Sequence, residues 1–281
     1  MKLGFFSYNV DYGARPDELA AAVEARGFES FWVGEHTHIP AARKTPYPGG
    51  GPLPKPYYHM ADPFVSLMAA AAATRTIKLG TGICLVPQHD AITLAKTVAT
   101  LDYLSGGRVI LGVGAGWSED ECENHGVPFR RRWKALRERC EAMRTIWREE
   151  EASYDGEFAK FERIISYPKP AQAGGPPIII GGARAKTLER VARYADGWIP
   201  IDVLIDDLGP MMAELQEKMR AADRDPASLS ISVFAFDAKE DDVIRRYRDL
   251  GVDRVVMITP RRMDDAERWL DQKQKLIAEV A

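Results

Sequence analysis

The sequence predicts an α/β protein folded as a closed (β/α)8, or TIM, barrel, one domain spanning residues 1–281. Three observations point that way. Apolar runs of strand length alternate with segments of helical period along the whole chain. Eight strand–helix units fit into 281 residues, the length that a closed parallel barrel requires. Glycine-rich loops close several of the strands, at the end where such barrels build their sites. An open doubly wound sheet is the competing arrangement, and the count of eight strands favours the barrel.

The first strand is expected over residues 2–7. A helix over 16–26 follows, opening on Pro16 and two acids and stopping before Gly27, which is start and stop chemistry. The second and third strands are expected over 30–34 and 77–82. Leu94, Val98 and Leu101 then repeat at helical spacing ahead of Gly106-Gly107, and a fourth strand covers 108–112. Trp133, Leu136, Cys140 and Trp147 mark the next long helix. Strands over 177–180 and 197–200 come fifth and sixth. Met211, Leu215 and Met219 give one more helix before the last strands, over 230–234 and 254–258.

Two segments exceed ordinary connections. Residues 38–62 are proline-rich around Pro46-Tyr47-Pro48-Gly49-Gly50-Gly51-Pro52, and Tyr47, Tyr57, Tyr58 and His59 give the segment aromatic surface. A structureless insertion of that length is expected to be a lid over substrate. Residues 154–176 carry Tyr154-Asp155-Gly156-Glu157-Phe158 and Phe161, the pattern of a small hairpin with a structural role.

Composition excludes several classes. With a formal net charge of -3 and 46% hydrophobic residues, the chain has a substantial core and no basic excess for nucleic acid. Arg130-Arg131-Arg132 and Arg261-Arg262 lie at starts of acid-rich helices and read as solvated faces. The longest run of small apolar residues, 67–73, is far short of the ~20 that span a bilayer. Met1-Lys2 leads into an amphipathic strand without a cleavage site, so a cytoplasmic protein is expected. Cys84, Cys122 and Cys140 are odd in number and widely spaced, which reads as buried thiols rather than a disulfide framework or structural zinc.

Chemistry begins after the second strand, at Gly34-Glu35-His36-Thr37-His38. Taken alone, His36-x-His38 at a strand end suits a metal, the rival that would make this a barrel hydrolase. The later strand ends, Gly112, Ile180, Pro200, Phe234 and Thr259, offer no further ligand, and no metal site is expected. Glu35 and His36 remain as the candidate catalytic groups.

Three glycine-rich loops complete the candidate site. Gly80-Thr81-Gly82 and Gly112-Val113-Gly114-Ala115-Gly116 lie one helix apart and let backbone approach a flat ligand, as a cofactor floor would. The second begins like a dinucleotide fingerprint but has Trp117 where the third glycine belongs. The third loop, Ile180-Gly181-Gly182-Ala183-Arg184, runs from a buried strand into a helix whose first amides, with Arg184 and Lys186 nearby, suit a phosphate.

The chain resembles the luciferase-like monooxygenase superfamily, specifically its F420-dependent oxidoreductase branch, over essentially its whole length. The resemblance rests on Trp32-Val33-Gly34-Glu35-His36, Leu79-Gly80-Thr81-Gly82, Leu101-Asp102-Tyr103-Leu104-Ser105-Gly106-Gly107-Arg108, Leu111-Gly112-Val113-Gly114-Ala115-Gly116-Trp117, Ile180-Gly181-Gly182 and Ala195-Asp196-Gly197-Trp198, in that order. It implies a flavin-type ring in the barrel mouth, with hydride passing between that ring and a small organic substrate. It implies a backbone bulge with a cis peptide at Gly82-Ile83, an active-site role for His36, and phosphate-binding amides at Gly181 and Gly182. The implied cofactor contacts are Gly82, Ile83, Gly114, Ala115, Gly116, Trp117, Asp120, Ile180, Gly181, Gly182, Ala183 and Arg184.

Coenzyme F420 is the implied cofactor, with FMN the alternative; FMN would turn the reading toward a monooxygenase. A non-catalytic flavin-binding protein is a further alternative on the same barrel. Trp117 stands where the branch's sugar-phosphate dehydrogenases carry a catalytic glutamate, and Pro40 about where they carry a tryptophan, which speaks against glucose 6-phosphate. Glu119 and Asp120 follow closely enough to reach the pocket. Tyr8, the 38–62 segment, Trp117 and Trp198 suggest an apolar or aromatic substrate. The resemblance also implies a homodimer.

Overall fold

The structure is a computed structural model that describes residues 1–236 and 241–281. Its strands are β1 (Lys2–Ser7), β2 (Ser30–Val33), β3 (Lys78–Thr81), β4 (Cys84–Leu85), β5 (Val109–Gly114), β6 (Ala152–Asp155), β7 (Lys160–Ile164), β8 (Ile178–Gly181), β9 (Gly197–Ile199), β10 (Ser230–Ala235) and β11 (Arg254–Ile258). The helices are α1 (Pro16–Ala25), α2 (Pro63–Ala73), α3 (Ala91–Ser105), α4 (Glu119–Asn124), α5 (Arg132–Arg148), α6 (Ala185–Tyr194), α7 (Leu208–Ala221), α8 (Asp241–Asp249) and α9 (Met263–Val280).

Eight of the strands form a closed parallel barrel in the order β3-β2-β1-β11-β10-β9-β8-β5, and β3–β5 pairing at Leu79↔Val109 and Gly80↔Ile110 shuts it. β4 is a two-residue continuation of the third barrel position, paired with β5 at Cys84↔Val113. β6 and β7 pair antiparallel outside the barrel, which is the hairpin expected around Tyr154, opening two residues earlier.

Alternation along each strand sorts side chains into two cores. Phe6, Trp32, Ile110, Ile179, Ile199, Phe234 and Val256 fill the barrel interior. The residues between them face the helices, where Phe5 meets Phe28 and Trp269 edge-on at 5.8 and 5.0 Å. Packing Trp32 against Phe234 at 5.8 Å makes the interior a filled core, so ligands are confined to its mouth.

Helix ends follow local chemistry. Asp62 caps α2 by accepting from the Phe64 and Val65 amides, and Asp90 caps α3 by accepting from Thr93. The Leu101–Arg108 motif turns out to be scaffold. Buried Asp102 accepts from the Gln172 backbone and side chain, and the Arg108 guanidinium donates to Thr74 and to the Ile77 and Ala71 carbonyls. No described helix is long and apolar enough to cross a membrane.

Candidate functional site at the barrel mouth

His36 follows β2 at the carboxyl ends of the strands. Its side chain is 6% exposed, and Nδ1 lies 2.8 Å from Glu121 Oε2 and 3.1 Å from Oε1. A carboxylate only accepts, so Nδ1 is the nitrogen that donates to it, and Nε2 is the ring nitrogen left outside the pair. Glu121 is presented by α4, whose first turn is capped by the Ser118 hydroxyl accepting from the Glu121 amide at 3.3 Å.

Glu35 takes a different part from the catalytic one expected of it. Buried to 4% exposure, it accepts from the Leu85 amide with Oε2, while Oε1 lies 2.7 Å from His89 Nε2. Both oxygens are engaged, so Glu35 holds β4 in place rather than reaching a substrate. Burial is the largest single influence on the His89 pKa and would lower it, but the hydrogen bond and charge of Glu35 together with the Asp62 charge outweigh it and raise the value. Donor atoms of Glu35, Cys84 and His89 lie within 4.8 Å of one another. Burial and the neighbouring Glu35 keep the Cys84 thiol protonated, and the cluster reads as a hydrogen-bonded support. His36 and His38 do not converge on a common point: His38 Nε2 faces Asn124 Nδ2 at 3.0 Å.

The floor lies between β3 and β5. The Gly82–Ile83 peptide is cis, and the Gly82 amide donates to the Val33 carbonyl at 2.7 Å, tying this bulge to the end of β2. Ile83 is flanked by two glycines. A Cβ on Gly114 would lie 2.0 Å from Ile83 Cδ1, and one on Gly181 would lie 3.2 Å from it. Ala115 and Gly116 continue the wall, with the Gly116 carbonyl accepting from Arg132 Nε.

Across the mouth, β8 runs through Ile180 and Gly181 into α6. Gly182 has φ +118°, a conformation that side chains disfavour, and its carbonyl accepts from Trp198 Nε1 at 2.7 Å. Among the described residues no side chain caps α6, whose Thr187 amide donates to the Arg184 carbonyl at 2.7 Å; Ala183 is half-buried and Arg184 exposed, so no side chain competes for the amides that open the helix. A bare shelf at Ile83 and an uncapped helix start suit a flat ring carrying a phosphate.

The roof is aromatic. Trp117 and Tyr57 meet His36 edge-on at 5.7 and 5.2 Å, and Tyr47 meets Tyr57 at 5.4 Å and Trp117 at 6.0 Å. Tyr8 adds a fourth ring, 6.0 Å from Tyr57. Burial pushes the Tyr57 hydroxyl pKa up, keeping it a neutral donor. Asp120, expected at the cofactor, is turned instead to the 38–62 segment, where it accepts from the Thr45 amide and hydroxyl.

Glu121 and His89 are the partners that motif reading passes over. Ser118-x-x-Glu121 is a capping-box pattern, which signals only a helix start. The one pointer to Glu121 is chemical: a working imidazole needs an acceptor to fix its tautomer.

The family model described as luciferase-like monooxygenase matches residues 8–274. The chain is 43% identical over 279 residues to an uncharacterized protein of Mycobacterium tuberculosis, covering 97% of each. It is 28% identical over 234 residues to an F420-dependent hydroxymycolic acid dehydrogenase of the same species, covering 81% of this chain and 61% of that one. Its fold matches monooxygenase RslO1 from Streptomyces bottropensis with TM-score 0.83 at 20% identity, covering all of both chains. The chain belongs to the luciferase-like monooxygenase family.

Proposed function

We propose that this protein is an oxidoreductase that passes a hydride between coenzyme F420 and a small organic substrate. The observation that carries the reading is the buried His36–Glu121 pair beside the Gly82–Ile83 shelf, a proton-handling group fixed next to a surface shaped for a flat ring. Similarity to a dehydrogenase named for F420 supports that cofactor over FMN.

When bound, F420 supplies a two-electron hydride donor or acceptor with little reactivity toward oxygen. Ile83, between Gly114 and Gly181, would support the ring, and the α6 start with Gly181, Gly182 and Ala183 would hold the phosphate. With Nδ1–H pinned by Glu121, His36 Nε2 is the position that takes the substrate hydroxyl proton in an oxidation. In the reducing direction the same nitrogen returns it. The aromatic roof excludes water from that nitrogen.

The test is turnover followed by loss or gain of F420 absorbance with a panel of secondary alcohols, ketones and enones. His36→Ala is expected to bind F420 normally and to lose about 10²-fold or more in turnover. Equal turnover in the variant would remove His36 from the mechanism. Turnover with reduced FMN and oxygen alone would move the protein to the monooxygenase reading.

A further inference from the structure

Helix α4 does more than present Glu121. Its Asp120 carboxylate accepts from the Thr45 hydroxyl at 2.6 Å, the Thr45 amide at 2.9 Å and the Lys44 amide at 3.2 Å. The Thr45 hydroxyl in turn accepts from the Glu119 amide at 3.0 Å. The far end of the helix holds the start of the same segment: Asn124 Nδ2 lies 3.0 Å from His38 Nε2, and His125 Nε2 lies 2.9 Å from the Thr37 hydroxyl. One short helix thus fastens His36, the 37–38 turn and the 44–45 turn.

What the 44–45 turn carries is the roof. Arg43 stacks over Trp117 at 5.5 Å, and Tyr47 packs its ring against Tyr57 and Trp117, the two rings that touch His36. Tyr47 and Tyr57 also bring their hydroxyls to 3.4 Å of each other. Between Thr45 and Tyr57 the segment is proline- and glycine-rich and largely exposed, with Leu53 and Pro56 buried, and its far end is tied separately by the Val10–Met60 bridge and by the Asp11 amide donating to the His59 carbonyl. At the 44–45 turn the fastening is charge-assisted hydrogen bonding to the Asp120 carboxylate, stronger than neutral pairs.

We propose that Asp120 is a positioning residue, the latch that holds Tyr47 against Tyr57 and Trp117 over His36 and so completes a pocket for a flat, apolar substrate ring. The substrate class rests on the oxidoreductase reading; the latch does not. Rings meeting edge-to-face around one imidazole favour insertion of a planar apolar body over a sugar or a phosphate ester.

The chain supplies its own reporter, because Arg43 and Lys44 are adjacent trypsin sites at the latch. In the full-length protein, Asp120→Ala is expected to speed cleavage after Arg43 and Lys44 by about tenfold or more, the size of a lost charge-assisted bond set, while the thermal midpoint stays within a few degrees. Asp120→Asn keeps an accepting oxygen and should fall between. The same Ala variant should bind 1-naphthol, a flat apolar probe followed by saturation-transfer NMR, about tenfold more weakly. Unchanged cleavage in Asp120→Ala would overturn the latch. Faster cleavage with unchanged naphthol affinity would overturn the pocket assignment. Failure of the wild type to bind F420, with cleavage still responding to Asp120, would refute the oxidoreductase reading and leave the latch standing.

Discussion

The His36 ring is held by Glu121, 85 positions later in the chain, with Nδ1 2.8 Å from a carboxylate whose side chain is 1% exposed. That contact commits Nδ1 to the carboxylate and leaves Nε2 as the nitrogen proposed to exchange the substrate proton. Glu121→Gln keeps the shape but lets the amide present either a donor or an acceptor, so the ring loses its enforced tautomer. Turnover is expected to fall about tenfold to a hundredfold, with F420 affinity changed by less than about threefold. Steady-state kinetics beside a binding titration checks the split, and a change in affinity alone would contradict it.

The shelf at Ile83 has no room for a larger neighbour. Gly114→Val would drive atoms into Ile83, whose Cδ1 lies 2.0 Å from where even a Cβ would fall. Displacing the shelf is expected to weaken cofactor binding about tenfold or more while the protein stays folded, at a cost of about 1–3 kcal/mol. Circular dichroism with fluorescence titration reads both.

At the opposite wall, Gly182 combines φ +118° with Thr187 Oγ1 3.2 Å from a built Cβ. Gly182→Val forces the turn to move and redirects the α6 amides. Affinity for the intact cofactor is predicted to drop, whereas affinity for a phosphate-free deazaflavin should be little changed. Equal losses for both ligands would dismiss these amides as the phosphate site.

His89 couples the fold to pH. Its folded-state pKa lies above the ordinary 6.5, since Glu35 and Asp62 outweigh the burial and the Arg139 charge that lower it. A raised value means the contribution is fully present below about pH 6.5 and is lost as pH rises through the folded value. Urea midpoints measured from about pH 5.5 to about pH 9 should fall for the wild type relative to His89→Gln. Parallel pH profiles would show that the Glu35–His89 bond carries no linked stability.

Much of this architecture is legible in the sequence because strand runs and glycine loops are local signals. Each of the eight barrel strands lies within two residues of its expected span, as at residues 177–180 against Ile178–Gly181. The His36, Gly82-Ile83 and Gly181-Gly182 loops come to one mouth because strand-end loops of a parallel barrel must converge. What sequence spacing could not supply is where a carboxylate points. Glu35 adjoins His36 in the chain yet turns to Leu85 and His89, Asp120 turns to Thr45, and Glu121, between unremarkable helix-start acids, reaches the imidazole. Those directions are set by long-range packing, of α4 against the segment after β2 for Asp120 and Glu121 and of the 84–89 segment against it for Glu35.

The most direct test of the central claim is equilibrium binding of the purified protein to F420 and to FMN side by side, followed by fluorescence. Tight F420 binding, weakened by Gly114→Val and absent for FMN, is the predicted result. Preference for FMN, or binding to neither, would contradict the hydride-transfer account built on the His36–Glu121 pair.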